Sequence, residues 1–204
     1  MRLLLATRNA KKLDELRRIL AAEGVSGVEV LGLADVDEFD EAPETGATFE
    51  ENALAKARDA VAATGIAAVA DDSGLSADAL NGMPGVLSAR WSGRHGDDQA
   101  NLDLVLAQLA DTPDERRGAA FVCAAALVVP GGEGTEPRET TVRGEWRGTL
   151  ARKSRGTNGF GYDPIFVPEG ETRTSAELDP AEKDALSHRG RALRALLPAL
   201  RELS

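Results

Sequence analysis

The stretch Ile66–Gly74 reads IAAVADDSG, a short apolar run followed at once by two adjacent carboxylates. The run Ile66–Ala70 carries no charge and predicts a short buried strand. Asp71 and Asp72 are then expected at the point where this strand ends. Adjacent like charges are costly unless water or a cation takes up the charge, and in open α/β sheets ligands bind at the carboxyl ends of strands. The stretch therefore predicts a divalent-metal or general-base site on an α/β scaffold.

Composition bounds the size of the protein and indicates its compartment. The chain has 204 residues, enough for one large domain or two small lobes. Folding of a chain of this size buries roughly 70% of its unfolded surface. Aromatic residues make up only 4% of the chain, so we expect a core of Ala, Leu and Val. The single cysteine, Cys123, lies in an apolar run without a basic neighbour, which indicates a core residue and a reducing, cytoplasmic setting.

Charge and hydropathy argue against two classes of partner. The apolar run Met1–Thr7 is too short for a signal peptide, and no stretch reaches the length of a membrane span, so we expect no membrane partner. The formal net charge of −10 argues against a nucleic-acid polymer, because such polymers bind to basic surfaces. A small phosphorylated ligand is compatible with this charge, since a local cluster of Lys, Arg and metal can override the global sign.

Hydrophobic periodicity and capping residues predict alternating strands and helices. Asn9 begins a helix whose Leu13, Leu16 and Leu20 share one face, and Thr48 begins another through a capping box. This alternation, followed by an antiparallel pair, indicates an α/β fold with a mixed sheet. The predicted strands are Arg2–Ala6, Val28–Leu33, Ile66–Ala70, Ala119–Val129 and Thr140–Trp146, and the predicted helices are Asn9–Glu23, Thr48–Ala63, Asp97–Ala110 and two segments that begin near Asp179 and Ser187.

Two polar segments have the composition of a phosphate site. Thr7–Lys12 links a strand to a helix start, where backbone N–H groups favour anions, and Lys12 adds a positive charge. On the next predicted helix, Asn52 and Lys56 lie four residues apart and therefore share a face. Next to the two carboxylates, that face has the groups to hold a triphosphate together with Mg²⁺. The alternatives are an ordinary helix cap and a solvated helix face.

Glycines and aromatics concentrate in a third segment, Gly156–Phe166. Its glycines let the backbone approach a flat ligand, Phe160 can stack on a base, and Asp163 can accept hydrogen bonds. The alternative is a tight hairpin with one core aromatic, but the scarcity of aromatics elsewhere favours a function. Near the C-terminal end of the sequence, His188 and Arg189 at a helix start offer donors to a carbonyl oxygen.

Together these segments closely resemble the inosine triphosphatase family, the dITP/XTP pyrophosphatases that clear non-standard purine nucleoside triphosphates. Each segment alone is weak evidence, but their order and spacing match nearly end to end. The chain departs from the family at Arg8, where many relatives carry a small residue, and at Asn158, where some carry glycine. The matching segments are Leu5–Lys12, Glu44–Phe49, Glu51–Ala53, Lys56–Ala57, Ala70–Leu75, Pro84–Gly93, Gly159–Phe166 and Ser187–Gly190.

The resemblance implies a fold, a reaction and an assembly. The expected architecture is a single domain over residues 1–204, with two lobes around a central cleft and an elongated central mixed β-sheet flanked by helices. The implied reaction hydrolyses dITP, ITP and XTP or dXTP to the nucleoside monophosphate and pyrophosphate, which keeps deaminated purines out of DNA and RNA. The resemblance further implies a cytoplasmic homodimer that uses Mg²⁺, with one ion or more per subunit and Mn²⁺ as the alternative metal.

Site residues of the family carry over onto the matching positions. Asp72 is implied as general base and, with Glu44, as metal ligand. Asp71 is either a supporting ligand or a residue that contacts the ligands rather than the metal. A pocket that donates to the purine 6-oxygen would reject adenine, which presents an amino group there. The implied triphosphate contacts are Thr7, Arg8, Asn9, Ala10, Lys11, Lys12, Lys56 and Ser73, and the implied base and sugar contacts are Phe160, Gly161, Tyr162, Asp163, Lys183, His188 and Arg189.

Two alternative functions stay open on the sequence alone. One is a pyrophosphatase with a different nucleotide preference, such as modified pyrimidine triphosphates. The other is a nucleotide-binding regulator that senses purines without cleaving them. Asp71, Asp72 and Glu44 count against the regulator, since a protein that only binds nucleotides has little use for a general base.

Overall fold

The computed structural model describes residues 1–40, 43–132 and 134–203, and these ranges contain six β-strands and five α-helices. The strands are β1 (Arg2–Leu5), β2 (Glu29–Leu31), β3 (Ala68–Ala77), β4 (Gly118–Val129), β5 (Arg138–Leu150) and β6 (Phe166–Pro168). The helices are α1 (Ala10–Ala22), α2 (Phe49–Thr64), α3 (Asp98–Gln108), α4 (Pro180–Leu186) and α5 (His188–Arg201).

The six strands form one mixed sheet in the order β2-β1-β3-β4-β5-β6. β1 pairs in parallel with β2, where Leu3 lies opposite Val30, and in parallel with β3, where Leu5 lies opposite Val69. β5 and β6 pair antiparallel. A helix-flanked sheet with both kinds of pairing confirms the mixed α/β fold predicted from the sequence.

The chain divides into two compact units, and each unit has a hydrophobic core. The first unit consists of residues 1–72, residues 123–144 and the chain from Arg189 onward. In its core, apolar residues of α1 and α5 pack with residues of β1, β3 and β4. The buried members of this core are Leu3, Leu5, Leu16, Ile19, Leu20, Ala67, Val69, Cys123, Ala125, Leu127, Ala192, Leu193, Leu196, Leu197 and Leu200.

The second unit consists of residues 73–122 and 145–188. Its core contains an aromatic group in which the ring of Phe166 lies 4.5 Å from that of Phe121 and 5.4 Å from that of Trp146, measured between centroids. Of the aromatics in the segment Gly156–Phe166, Tyr162 and Phe166 therefore belong to the core. The buried core members are Leu75, Ala77, Leu102, Val105, Leu109, Ala119, Phe121, Trp146, Leu150, Tyr162, Ile165, Phe166 and Leu178.

Capping side chains begin α1 and α2 where the sequence predicts. The Asn9 side chain accepts a hydrogen bond from Lys11 N at 3.0 Å, and Thr48 Oγ1 accepts one from Glu51 N at 3.1 Å. The Glu51 carboxylate accepts from the backbone N–H of Ala47 at 2.7 Å, one residue before the position that a capping box predicts. Both helices end within one residue of the predicted position.

The prediction for the strand that precedes Asp71 is wrong at its end. β3 continues beyond Ala70, through both carboxylates, to Ala77. Asp71 and Asp72 are only 4% and 7% exposed, so both lie in the interior of the strand. The strand accommodates adjacent acidic residues because each has its own polar partners and because successive side chains point to opposite faces of a sheet.

Candidate active site

Asp71 and Asp72 are neighbours in β3 but contact different helices. Asp71 Oδ2 accepts hydrogen bonds from Lys12 Nζ on α1 at 2.8 Å and from Arg189 Nε on α5 at 3.3 Å. Asp72 Oδ2 accepts a hydrogen bond from Asn52 Nδ2 on α2 at 2.9 Å. The alternation of side chains along a strand therefore places two adjacent carboxylates in separate surroundings.

Asp71 belongs to a charge cluster, which also contains Lys12, Arg189 and Glu15. Arg189 Nη1 donates to Glu15 Oε2 at 2.9 Å, so the cluster joins two carboxylates with two cations. Burial alone would raise the pKa of Asp71, but the charges of Lys12, Arg189 and Lys56 outweigh burial and hold this pKa well below its ordinary value. Asp71 is therefore ionised and tightly held, which fits a supporting role better than proton transfer.

Asp72 and Glu44 both approach the ammonium group of Lys56. Lys56 Nζ lies 2.8 Å from Glu44 Oε1 and 3.8 Å from Asp72 Oδ1. Burial raises the pKa of Asp72 above its ordinary value, with a further contribution from Glu44, although Lys56 and Asn52 act in the opposite direction. A buried carboxylate with a raised pKa, beside a fixed cation, has the properties of a general base.

Lys56 keeps its charge in these surroundings. Desolvation lowers the pKa of its ammonium group, but Asp72, Asp71 and Glu44 outweigh desolvation and raise the pKa overall. A lysine that stays protonated beside two carboxylates can donate hydrogen bonds to an anionic ligand. The structure thus brings together Glu44, Lys56 and Asp72, which the sequence predicts to act as one site.

Glu44 and Asp72 are also the carboxylates predicted to hold Mg²⁺. Among residues 1–40, 43–132 and 134–203, no three His, Cys, Asp or Glu side chains are grouped to hold a metal ion by themselves. Mg²⁺ commonly takes only one or two carboxylates and completes its octahedron with water and substrate phosphates. Two carboxylates that already approach one cation, Lys56, therefore fit such a site.

The predicted phosphate-binding turn Thr7–Lys12 forms the start of α1. Thr7 Oγ1 accepts a hydrogen bond from Asn9 N at 3.2 Å, and backbone N–H groups at such a start favour an anion. Lys11 is exposed, whereas Lys12 is a member of the charge cluster through its hydrogen bond to Asp71. A cavity of about 550 Å³ opens beside the turn. It is lined by Thr7, Arg8, Asn9, Ala10, Leu13 and residues 32–39.

The segment predicted to contact the base lies in the second unit and is organised around Asp163. The Asp163 carboxylate accepts hydrogen bonds from Phe160 N at 2.8 Å, from Ser175 Oγ at 2.8 Å and from Lys183 Nζ. Lys183 Nζ also lies 5.3 Å from the centroid of the half-buried Phe160 ring, within cation–π range. Phe160, Asp163 and Lys183 are thus close together, with Asp163 holding the other two.

Two further residues of the same segment form hydrogen bonds within the second unit. Tyr162 contacts the chain before α3, and Gly161 contacts α3 itself. The Tyr162 hydroxyl donates to the carbonyl oxygen of Ser88 at 2.8 Å, and Gly161 N donates to Asp98 Oδ2 at 2.9 Å. Burial raises the pKa of Tyr162, whose ring is part of the core. A contact between Tyr162 and substrate stays a prediction.

His188 and Arg189 follow each other in the chain but belong to different units. The buried His188 ring stacks on Phe121 with centroids 4.9 Å apart. Arg189 is buried in the charge cluster around Asp71. Ser73 is half-buried and is the first residue of the second unit. The assignment of His188 and Arg189 to the base and sugar, and of Ser73 to the phosphates, stays a prediction.

Asn52, which the sequence places with Lys56 on a candidate phosphate-binding face but to which it assigns no role, contacts the predicted general base. It is buried on α2, and its side chain bridges Asp72 and the backbone of Gly46. Its signals in the sequence are its position four residues before Lys56, which is also compatible with a solvated helix face, and its place in the segment Glu51–Ala53 that matches the family.

Two expectations from composition concern the core and the membrane. Cys123 is fully buried in the core of the first unit, which confirms its interpretation as a core residue. In the part of the chain that the structure describes, none of the helices combines the length and the hydropathy of a membrane span.

Comparison with known proteins establishes the family. A sequence profile of the Ham1 family matches residues 3–199. The chain belongs to the Ham1 family. A protein of Nocardia farcinica named dITP/XTP pyrophosphatase is 70% identical over 203 residues, which cover 100% of this chain and 96% of that protein.

Solved structures of Ham1-type proteins have the same fold. The crystal structure of a nucleoside-triphosphatase, or dITP/XTP pyrophosphatase, from Mycobacterium abscessus is 66% identical, covers 98% of this chain and 100% of that one, and superposes with a TM-score of 0.78. A HAM1 protein from Coxiella burnetii is 42% identical, with 99% of each chain covered and a TM-score of 0.84. These matches confirm the family and the fold class that the sequence motifs predict.

Proposed function

We propose that this Ham1 protein is a nucleoside-triphosphate pyrophosphatase that converts dITP, ITP and XTP or dXTP to the nucleoside monophosphate and pyrophosphate. The observation that carries the proposal is the full-length similarity to proteins named dITP/XTP pyrophosphatase, at 70% identity for the Nocardia protein. The arrangement of Asp72, Lys56 and Glu44 supports the same reaction, because it joins a base, a cation and a second carboxylate. Such an activity would keep deaminated purines out of DNA and RNA.

Residues of the first unit provide the general base and the phosphate-binding groups that the attack of water on the α-phosphorus needs. Asp72 accepts the proton of the water as its oxygen forms the new bond to phosphorus. The bond to the oxygen that bridges the α and β phosphates breaks, and its electron pair leaves with pyrophosphate. Lys56 donates hydrogen bonds to phosphate oxygens, and the start of α1, Thr7–Lys12, binds the remaining charge. No covalent nucleophile is needed.

Glu44 and Asp72 would hold Mg²⁺ in this reaction, and Mn²⁺ is the alternative metal. When bound, the ion neutralises phosphate oxygens and helps to orient the substrate. Lys56 approaches both carboxylates and supplies a second positive charge in the same place. A requirement for a divalent cation is therefore part of the proposal.

The second unit is proposed to bind the base and the sugar. The half-buried Phe160 is proposed to stack on the base, and Lys183 lies beside its ring, held by Asp163. Donors that face the purine 6-oxygen would select hypoxanthine and xanthine over adenine, because adenine would leave such donors unpaired. Following the resemblance to the family, we propose as these donors His188, of the second unit, and Arg189, of the first.

The proposal includes an assembly and a compartment. We propose a cytoplasmic homodimer whose ligand is a small nucleotide rather than a nucleic-acid polymer or a membrane. The net charge of −10 supports a small nucleotide over a nucleic-acid polymer, because such polymers bind to basic surfaces. The single cysteine, which is buried and free, supports a reducing compartment. The homodimer rests on the resemblance to the family, and sedimentation velocity over a range of concentrations tests it.

A substrate panel with identification of products tests the function directly. The protein is incubated with Mg²⁺ and, separately, dITP, XTP, dATP, dGTP and a modified pyrimidine triphosphate, and the products are resolved by phosphorus NMR. We expect dITP and XTP to yield the monophosphate and pyrophosphate, with much slower turnover of dATP and dGTP. Omission of Mg²⁺ should stop the reaction.

Three other outcomes would overturn the proposal. Release of orthophosphate alone would place the cleavage at a different bond. Faster turnover of the pyrimidine triphosphate would favour the alternative substrate class. Tight binding of dITP with no turnover would favour a nucleotide-sensing regulator.

A further inference from the structure

The Asn52 side chain lies between the predicted general base and the segment that carries Glu44. It is only 2% exposed, and both ends of its amide are engaged. Nδ2 donates to Asp72 Oδ2 at 2.9 Å, and Oδ1 accepts a hydrogen bond from Gly46 N at 2.8 Å. A carboxylate accepts and a backbone N–H donates, so this position needs a side chain that does both.

The contacts of Asn52 distinguish the two oxygens of Asp72. Oδ2 is bound by Asn52, whereas Oδ1 is the oxygen nearest Lys56, with 3.8 Å between Oδ1 and Nζ. A hydrogen bond to one oxygen restricts rotation of the carboxylate and therefore sets the direction in which the other oxygen points. The oxygen on the side of Lys56 is then the one placed to act on a water beside a bound phosphate.

The backbone at Gly46 is fitted closely to the same amide. A Cβ atom at position 46 would lie 2.6 Å from Asn52 Oδ1 and 2.8 Å from Glu51 Cβ, so only glycine allows this approach. Glu44 lies two residues earlier and contacts Lys56. Asn52 thereby links the segment that carries Glu44 to the carboxylate of Asp72.

We propose that Asn52 is a positioning residue of the pyrophosphatase reaction: its amide orients Asp72 so that Oδ1 accepts the proton of the attacking water. The inference rests on the proposed function. Because both ends of the Asn52 amide are engaged by Asp72 and by the Gly46 backbone, its loss should lower kcat and leave KM nearly unchanged. Loss of a group that orients a reactive side chain typically costs about 10- to 100-fold in rate.

Two substitutions remove the hydrogen bond from residue 52 to Asp72. Asn52→Asp keeps an acceptor for Gly46 N but replaces the donor to Asp72 by a carboxylate, whereas Asn52→Ala removes both contacts. We expect both variants to lose about 10- to 100-fold in kcat on dITP, with KM within about threefold of wild type. Nearly full activity of Asn52→Asp would overturn the inference, because that variant has no amide donor for Asp72.

Asn101 provides a matched control on α3. It is 1% exposed, its Oδ1 accepts from Ser92 N at 2.7 Å, and its Nδ2 donates to the carbonyl oxygen of Ala89 at 3.2 Å. Asn101→Asp and Asn101→Ala therefore disturb a buried helical asparagine that bridges backbone groups. Thermal melting of all four variants shows how much stability each loses. A loss of kcat in the Asn101 variants equal to that in the Asn52 variants would overturn the inference.

A double-mutant cycle tests whether Asn52 acts through Asp72. In an Asp72→Asn background, Asn52→Ala should cause little further loss, because the oriented base is already gone. If Asn52→Ala lowers kcat by the same factor in the wild-type and in the Asp72→Asn background, the inference is overturned. If wild type releases no pyrophosphate from dITP, the proposed function fails and this inference with it. If wild type is active and Asn52→Asp is equally active, the inference alone fails.

Discussion

At the scale of single residues, the proposed chemistry depends most on Asp72. Asp72→Asn keeps the size of the side chain but removes the proton acceptor. We expect kcat on dITP to fall by at least about 100-fold, as is typical when a general base is lost. Binding of a non-hydrolysable dITP analogue, measured by calorimetry, should stay close to that of wild type. The control is Asp114→Asn, which changes an exposed ion pair with Arg152; near-normal turnover in Asp72→Asn would refute the assignment.

Asp71 makes a different prediction, because its charge stabilises the fold. Its pKa in the folded protein lies below the value in the unfolded chain. The stabilisation is therefore complete above the ordinary carboxyl pKa of about 4, and it is lost as the pH falls from there toward the folded-state pKa. Asp71→Asn leaves Lys12 and Arg189 with one carboxylate fewer, which should cost about 3 kcal/mol at neutral pH.

Urea unfolding at a series of pH values measures both effects of Asp71→Asn. The variant should be less stable than wild type at neutral pH, and its stability should decrease less steeply below about pH 4. Asp114→Asn serves as control again, with a change within about 0.5 kcal/mol, because exposed ion pairs contribute little. An Asp71→Asn protein with the stability and acid dependence of wild type would contradict the structural role of the charge cluster.

At the scale of secondary-structure elements, Arg117 joins the end of α3 to the end of β5. Its buried guanidinium donates to three carbonyl oxygens, those of Leu109 at 2.6 Å, Leu150 at 2.7 Å and Ala151 at 3.1 Å. Leu109 is the capping residue at the end of α3, where carbonyl groups lack partners within the helix. A cation at the C-terminal end of a helix is also favoured by the helix dipole.

Replacing Arg117 should destabilise the second unit. Arg117→Met keeps much of the apolar stem but leaves three carbonyl groups without this donor. We expect a loss of about 3 kcal/mol, roughly 1 kcal/mol for each hydrogen bond. Urea unfolding measures the loss, and Arg116→Met is the matched control because its side chain is exposed one residue earlier. If both variants had the same free energy of unfolding, the hydrogen bonds of Arg117 would contribute nothing to stability and the prediction would be wrong.

At the scale of the whole molecule, the two units are not continuous pieces of chain. Each is assembled from separate segments, and the chain passes from one unit to the other within β3, β4 and β5. The prediction of a single domain over residues 1–204 therefore implies one cooperative unfolding transition. Calorimetry should show a single transition that both Asp71→Asn and Arg117→Met shift downward. Two transitions, each shifted by only one of these variants, would contradict a single domain.

Local signals predicted the helices well. Asn9 and Thr48 cap α1 and α2 within one residue of the predicted starts, because capping depends on a few adjacent residues. The strands were predicted less well. β5 spans Arg138–Leu150 rather than Thr140–Trp146, since a strand's length depends on partners that are distant in sequence. The same reason explains why β3 continues beyond Ala70.

The amino-acid sequence by itself determined the family, the mixed α/β class and the identity of most candidate site residues, because these follow from residue types at fixed spacings. The resemblance already gave Asp71 and Asp72 different roles, but only the tertiary structure showed their different surroundings, since the partners of each come from helices elsewhere in the chain. The tertiary structure also revealed the hydrogen bond between Asn52 and Asp72, which lie 20 residues apart in the sequence. The physical reason is that burial and neighbouring charge, which set the reactivity of a carboxylate, arise only when distant segments pack together.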